Sequence, residues 1–180
     1  MDFDEAVIGR RSIRRYQDRP IPSEEIEALL ELARHAPSSM NGQPWHFVIV
    51  KDPRTKAALA EIKNRFCPPE KQAFQADFIL AAQAIIVICV EKGRSFGREV
   101  ENGILASSIL MLAAQSRGLG SVYMSAYIPD EPKLSQVLRQ LLGIPEVIAP
   151  ISMLPLGYPD EVPSPKVLIP LKEIIHFEHF

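Results

Sequence analysis

The 180-residue chain predicts a single domain, residues 1–180, of the α/β or α+β class. Two observations predict that class. Short apolar runs rich in β-branched residues alternate with segments whose apolar residues recur at helical spacing. The composition, 47% hydrophobic and 23% charged, is that of an ordinary globular protein able to bury one sizeable core.

The elements follow in order. Asp2 to Gly9 reads as a short helix with Phe3, Ala6 and Val7 on one face and acidic residues at its start. Pro20 and Pro22 enforce an extended link. Ser23 reads as an N-cap, and Ile26, Leu29, Leu30 and Ala33 make Glu24 to His35 an amphipathic helix. Ala36 to Trp45 has two prolines, a glycine and no hydrophobic period, so it is a loop. Trp45 to Val50 reads as a buried strand, and Asp52-Pro53 opens a helix that runs to about Arg65. Pro68-Pro69 breaks the chain before a helix over Glu70 to Leu80, and Ala84 to Val90 is a central strand. Arg98 to Arg117 is the longest helix, with Ile104, Leu105, Ser108, Leu112 and Ala113 expected to face the core and Gly118 to end it. Val122 to Ala126 reads as a short strand, Pro129 to Leu142 as a helix closed by Gly143, and Val147 to Leu156 as the last main strand. Beyond the turn at Gly157-Tyr158-Pro159 lies a proline-rich, apolar arm, which is expected to wrap its own domain or a partner.

Composition excludes several function classes. A net charge of −2 argues against bulk nucleic-acid binding, which needs a broad basic face. Cys67 and Cys89 are too few for a metal cluster or a disulfide framework, and a reducing, cytoplasmic location is expected. The apolar stretch Ile79 to Val90 is too short to span a bilayer, and the N-terminus does not read as a signal peptide. There is no P-loop, no GxGxxG after a strand, no HExxH and no GxSxG. His46, beside Trp45, reads as a structural or surface histidine. A catalyst with so few acids, bases or metal ligands borrows its chemistry from an organic cofactor.

Two stretches stand out. Arg10-Arg11-Ser12-Ile13-Arg14-Arg15 places four guanidiniums and a hydroxyl within six residues. Arginine forks match the oxygens of phosphate and carboxylate two at a time, so a compact anion is one reading. A solvated basic turn is the more usual one for a charge run, and pairing with the last carbonyls of the preceding helix is a third. The loop Ala36 to Trp45 is dense in amide and hydroxyl groups that can read the edge of a flat heterocycle, although helix-to-strand connections are often of this kind.

Together, in this order and at this spacing, Arg10-Arg11-Ser12-Ile13-Arg14 and Ala36-Pro37-Ser38-Ser39-Met40-Asn41-Gly42-Gln43-Pro44-Trp45 resemble the nitroreductase family of FMN flavoproteins. Gly118-Leu119-Gly120-Ser121, Leu156-Gly157-Tyr158-Pro159 and the tail from Leu171 to Phe180 are similar to it as well, so the resemblance covers nearly the whole chain. It implies an α+β fold with a mostly antiparallel sheet flanked by helices. It also implies an intertwined homodimer with FMN at the subunit interface and a C-terminal arm, residues 165–180, lying across the partner. By this resemblance Arg10, Arg11 and Ser12 bind the flavin phosphate and ribityl chain, and Arg14 lies near the pyrimidine edge of the ring. Pro37, Ser38, Ser39 and Asn41 reach the flavin from the other subunit. Ser125 and Ala126 bring backbone groups near N5, Gly157 belongs to the cofactor-binding set, and Lys166 joins the phosphate. A positive charge near N1 and O2 favours the reduced flavin.

The resemblance implies an FMN-dependent oxidoreductase that takes hydride from NADH or NADPH and passes electrons to a small electron-poor acceptor such as a nitroaromatic, quinone or enone. Reductive dehalogenation, flavin fragmentation and a non-catalytic FMN-binding module are the alternatives, and neither metal, membrane nor nucleic acid is expected as a partner. Three departures from the family pattern are visible. Val167 and Leu168, not a second basic residue, follow Lys166; Ser125 replaces a glutamate found in some members; and the chain is short, which predicts a reduced lid and an open pocket.

Overall fold

The computed structural model describes residues 1–67, 75–128 and 132–180. Its elements are α1 (Phe3–Gly9), α2 (Ser23–Ala33), β1 (Trp45–Val50), α3 (Pro53–Arg65), β2 (Ala84–Glu91), α4 (Glu99–Ser116), β3 (Gly120–Ser121), β4 (Met124–Ser125), α5 (Lys133–Leu142) and β5 (Ile148–Gly157). The strands form one sheet in the order β1-β2-β5-β3, with β4 also on β5, and each of these pairings is antiparallel. The fold is therefore α+β.

Side chains alternate across a strand, and β2 is apolar on both faces. Ala84, Ile86 and Ile88 join Ile26, Leu29, Ala33, Ala106, Leu110, Leu154 and Leu156 in one core under α2 and α4. Ile85, Val87 and Cys89 join Leu59, Ile79, Met124, Leu134, Leu138 and Met153 in a second core under α3 and α5. The sheet is thus a buried middle layer. Cys89 is part of it, and burial pushes its thiol up to about 12.

Local signals hold where the chain chemistry is local. Asp2 and Glu5 form a reciprocal capping box on α1. The Asp52 carboxylate accepts from Thr55 N at 2.8 Å ahead of Pro53. Gly118 and Gly143 take the left-handed conformation (φ +73° and +66°) just past α4 and α5.

Several expectations are corrected. Ser23 is the first residue of α2 and does not cap it; Pro22 precedes the helix without a side-chain bond. β1 is the outer strand of the sheet and only Val50 is buried, because it pairs with β2 alone. Of the strand expected over Val122 to Ala126 only Met124–Ser125 (β4) forms, and Gly120–Ser121 (β3) lies ahead of it, both on β5. Residues 76–81 form a 3₁₀ helix, and the first part of the helix expected from Glu70, the Pro68-Pro69 break and residues 129–131 lie outside the described residues. The buried side of α4 also differs. Asn102, Gly103, Ala106, Ser107, Leu110, Ala113 and Ala114 face inward, whereas Ile104 and Leu105 are exposed. The cause is close approach to β5: a Cβ on Gly103 would stand 2.6 Å from Ile151, and Ser107 Oγ lies 2.7 Å from Ser152 Oγ. Small residues fill the narrow gap and large ones are turned out.

The arm beyond Glu161 leaves the body of the molecule. Val162, Val167, Phe177 and Phe180 are almost wholly exposed. Among the described residues, no helix is long and apolar enough to cross a membrane.

Candidate functional site

Past α1 the chain runs extended beside β3. Ser12 pairs with Ser121, and Ile13 N donates to Ser121 O at 3.1 Å. Tyr16 pairs with Pro159, and Gln17 N donates to Tyr158 O. Two glycines seat this segment. A Cβ at Gly120 would lie 2.8 Å from the Ile13 side chain, and one at Gly157 would lie 2.6 Å from the Tyr16 ring. Ile13 and Tyr16 are buried, so Ser12, Arg14 and Arg15 must point to solvent. Buried anchors of this kind aim a basic run.

The four arginines then divide. Arg11 donates to the last carbonyls of α1, Ile8 O at 2.7 Å, Arg10 O at 3.0 Å and Gly9 O at 3.2 Å. Lys166, from the opposite end of the chain, donates to Val7 O at 3.2 Å, and Arg11 Nε reaches Ser164 O at 3.4 Å. Desolvation, and then repulsion from Arg10 and Arg11, hold the Lys166 ammonium below the usual lysine range. No ion pair among the described residues uses Arg10, Arg11, Arg14 or Lys166, and no hydrogen bond there uses the Arg10 guanidinium or the Ser12 hydroxyl. Three cations that repel one another, beside a hydroxyl and without a carboxylate, are a donor set for a phosphate monoester. A carboxylate stands further along the run, at Arg14 and Arg15, where it meets the backbone. Glu161 accepts from Arg14 N and from Arg15 N, and leaves the Arg14 guanidinium 5.9 Å from the centre of the Phe78 ring.

The loop Pro37 to Pro44 is built differently. Met40, Asn41 and Gln43 all have positive φ (51°, 53° and 47°), a conformation that side chains other than glycine rarely adopt. Ser38 Oγ accepts from Gln43 N at 3.0 Å, and Ser39 N donates to Asn102 Oδ1 at 3.0 Å. A Cβ at Gly42 would lie 2.0 Å from Arg94 O, so the loop is pressed onto the turn before α4. Pro37 and Asn41 are exposed, and Ser38 and Ser39 are half-buried.

One chain holds these two groups far apart. The loop precedes β1 at the Trp45–Val90–Ala149 end of the sheet, whereas Ser12 lies beyond β3 at the Leu156–Gly157 end. Strand rise and spacing across that diagonal give roughly 30 Å. Helix α4 is an independent ruler. It starts at the loop and ends beside α1, where Gln115 approaches Gly9, and its 18 residues span about 27 Å. A single flavin cannot touch both groups of one chain.

Ser125 lies on β4. Its carbonyl accepts from Lys63 Nζ at 2.7 Å, and its hydroxyl donates to Tyr127 O. Ala126 is buried, and its N–H donates to Ile151 O at 2.9 Å, so that donor is engaged within the sheet. Gly157 is filled from the protein side by Tyr16. Sequence reasoning missed Asn102, Glu161 and Lys63. Asn102 left a trace, a carboxamide directly ahead of the run Gly103 to Ala106; the other two are ordinary surface residue types until the fold brings partners to them. Among the described residues no group of histidine, cysteine or carboxylate side chains could hold a metal ion.

A profile of the nitroreductase family matches residues 7–158. A protein of Methanothermobacter thermautotrophicus, provisionally named an NADH dehydrogenase/NAD(P)H nitroreductase, is 40% identical over 99% of this chain and 87% of its own length. A crystal structure of a provisionally named NADH dehydrogenase/NAD(P)H nitroreductase from Parabacteroides distasonis superposes with a TM-score of 0.86 at 31% identity, covering 99% of this chain and 98% of that one. The structure of an iodotyrosine deiodinase bound to FMN and 3-iodo-L-tyrosine superposes with a TM-score of 0.78 at 27% identity, over 99% of this chain and 100% of that one.

Proposed function

The chain belongs to the nitroreductase family, and we propose that it is an FMN-dependent NAD(P)H oxidoreductase acting as a homodimer on small, flat, electron-poor acceptors. The observation that carries the cofactor assignment is the cluster of Arg10, Arg11 and Lys166, which gathers from both ends of the chain without a carboxylate to balance it. Arg10 and Ser12 supply free donors for the phosphate. Arg11 and Lys166 spend part of their donors on α1 carbonyls and contribute charge. Arg14, unpaired and beside Phe78, supplies a positive field at the pyrimidine edge of the ring. When bound, the flavin supplies two-electron chemistry between the nicotinamide and the acceptor at N5.

The corner-to-corner separation of the two groups within one chain supports a site in which the second copy contributes Pro37, Ser38, Ser39 and Asn41. The exposed apolar arm and the open edge of β1 support an assembly in which residues 165–180 of each copy pack on the other. Val167 and Leu168 are exposed beside Lys166, and the arm therefore adds one cation to the phosphate shell, not two.

The test is direct. Purified protein is saturated with FMN and dialysed, and bound flavin is read from the visible spectrum. Arg10→Ala is expected to weaken FMN binding by about tenfold or more, as loss of a charge-assisted contact does, with the far-UV circular dichroism and the oligomeric state unchanged. Full flavin occupancy in the variant after dialysis refutes the assignment. Reductive dehalogenation is the second reading, favoured by the deiodinase among the structural neighbours. Turnover of nitroaromatics and quinones with NAD(P)H, set against release of iodide from 3-iodotyrosine, decides between them.

A further inference from the structure

Asn102 is 1% exposed and uses both ends of its carboxamide. Oδ1 accepts from Ser39 N at 3.0 Å, and Nδ2 reaches Ser95 O at 3.4 Å. Its own backbone carbonyl accepts from Trp45 Nε1 at 3.1 Å. One residue in the first turns of α4 therefore ties down both ends of the loop, at Ser39 and at Trp45, and the turn at Ser95 as well. Between those ties lie the three positive-φ residues Met40, Asn41 and Gln43 and the close contact of Gly42 with Arg94 O. Such a backbone conformation persists only where its surroundings over-determine it. Among the described residues, Asn102 is the buried side chain that makes a hydrogen bond to the loop backbone from outside the loop.

We infer that Asn102 is a positioning residue for the cofactor site: through the Ser39 N–H it holds Ser38, Ser39 and Asn41 in the shape that meets the flavin of the neighbouring subunit. The inference rests on the proposed FMN site. Asn102 does not touch the cofactor; it acts through the loop. Hydroxyl and amide groups on a loop contribute to binding only when they are held in the bound geometry beforehand, since ordering them on binding costs affinity.

The experiment compares FMN affinity, by quenching of flavin fluorescence, in wild type, Asn102→Leu and Asn102→Asp, well below each melting temperature. Asn102→Leu keeps the branched heavy-atom shape, at a somewhat larger volume, and removes both polar contacts. It is expected to raise the FMN dissociation constant by about tenfold or more, the scale on which supporting residues act. Asn102→Asp keeps an acceptor for Ser39 N and is expected to recover most of that affinity. Ser107→Ala, one turn further along α4, removes an equally buried hydroxyl that bonds Ser152. It is expected to lower the melting temperature without changing FMN affinity, which separates positioning from mere stability. If Asn102→Leu does not fold, the same bond is read from the loop side. Ser39→Pro deletes the N–H, Ser39→Ala retains it, and only the proline variant is expected to lose the additional affinity. Asn102→Leu that binds FMN as wild type does, or a proline variant equal to the alanine one, overturns the inference and leaves the FMN reading intact. Wild type that binds no FMN overturns the FMN reading and this inference with it.

Discussion

Replacing Gly157 by alanine adds one carbon at the point where the arginine segment is anchored to the sheet. That carbon would lie 2.6 Å from Tyr16 Cδ1, 2.9 Å from Cγ and 3.0 Å from Cβ. The clash is with the root of a buried side chain, so rotation about the outer bonds cannot relieve it. Tyr16 is 7% exposed, and its hydroxyl lies 2.6 Å from Ile13 O. Over-packing of this kind costs about 1–3 kcal/mol, and losing the hydroxyl contact adds about 1 kcal/mol. A total of about 2–4 kcal/mol lowers the melting temperature of a chain this size by about 4–16 °C. The assay is thermal unfolding by circular dichroism of wild type, Gly157→Ala, Tyr16→Ala and the double variant. Removing the ring takes away the two shortest contacts and leaves only the 3.0 Å approach to Cβ, so the double variant is expected to be more stable than the sum of the two single losses predicts, by more than about 0.5 kcal/mol. FMN affinity should fall in Gly157→Ala as well, because Tyr16 and Ile13 set the phase that turns Arg14 outward. A melting temperature within about 1 °C of wild type, or strict additivity in the cycle, refutes the reasoning.

Two further predictions follow from buried polar groups. Desolvation, then the Glu161 carboxylate, raise the Tyr16 hydroxyl well above the usual tyrosine value of about 10, against a smaller opposing effect of Arg14. The folded state thus favours the neutral phenol. Its contribution to stability is complete below pH of about 10 and is lost as pH rises through the folded-state value. Tyr16→Phe should flatten this alkaline loss in urea titrations at pH of about 9 to 11, and an unchanged slope would count against it. Lys56, 9% exposed, donates to Ala82 O at 2.8 Å and Leu80 O at 3.0 Å, closing the 3₁₀ helix at residues 76–81. Lys56→Met strands those carbonyls and should cost about 1–3 kcal/mol in urea unfolding without altering FMN affinity.

What was readable in the chain was whatever local chemistry determines. β1 and α3 lie where Trp45–Val50 and the Asp52-Pro53 start put them, because a cap, a proline and a short run rich in aromatic and β-branched residues act over a few residues. The run Ala84–Val90 reads as central because only a strand covered on both faces is apolar at every position. The buried face of α4 was not readable, since the helix carries apolar or small residues on every side and the choice is made by Ile151 and Ser152 of β5. The candidate site divides in the same way. Its arginines and amides are visible as unusual stretches. What aims them is not, because Gly120, Gly157, Glu161 and Asn102 act through partners that are tens of residues away. Arg11 illustrates the limit: the run offered both a phosphate contact and helix-end carbonyls, and the fold commits much of that guanidinium to the carbonyls.

The diagonal placement of the two groups makes a prediction that does not depend on which acceptor is used. If each flavin takes its phosphate contacts from one copy and its loop contacts from the other, then Arg10→Ala and Asn102→Leu damage different halves of the same site. In a mixed dimer of the two variants, one site carries both lesions and the other carries neither. Random pairing of equal amounts makes half of the dimers mixed, and each holds one intact site of two, so about a quarter of wild-type high-affinity FMN sites should return. Co-expression with two different purification tags isolates the mixed dimer, in which half of the sites should be intact. A site built within one chain behaves otherwise: every chain then carries a lesion in its own site, and no mixture restores binding. Roughly 30 Å separates Ser12 from the loop of the same chain by strand rise and spacing. Failure of complementation, with each single variant dimeric and binding FMN poorly, would therefore refute the division of one site between two copies.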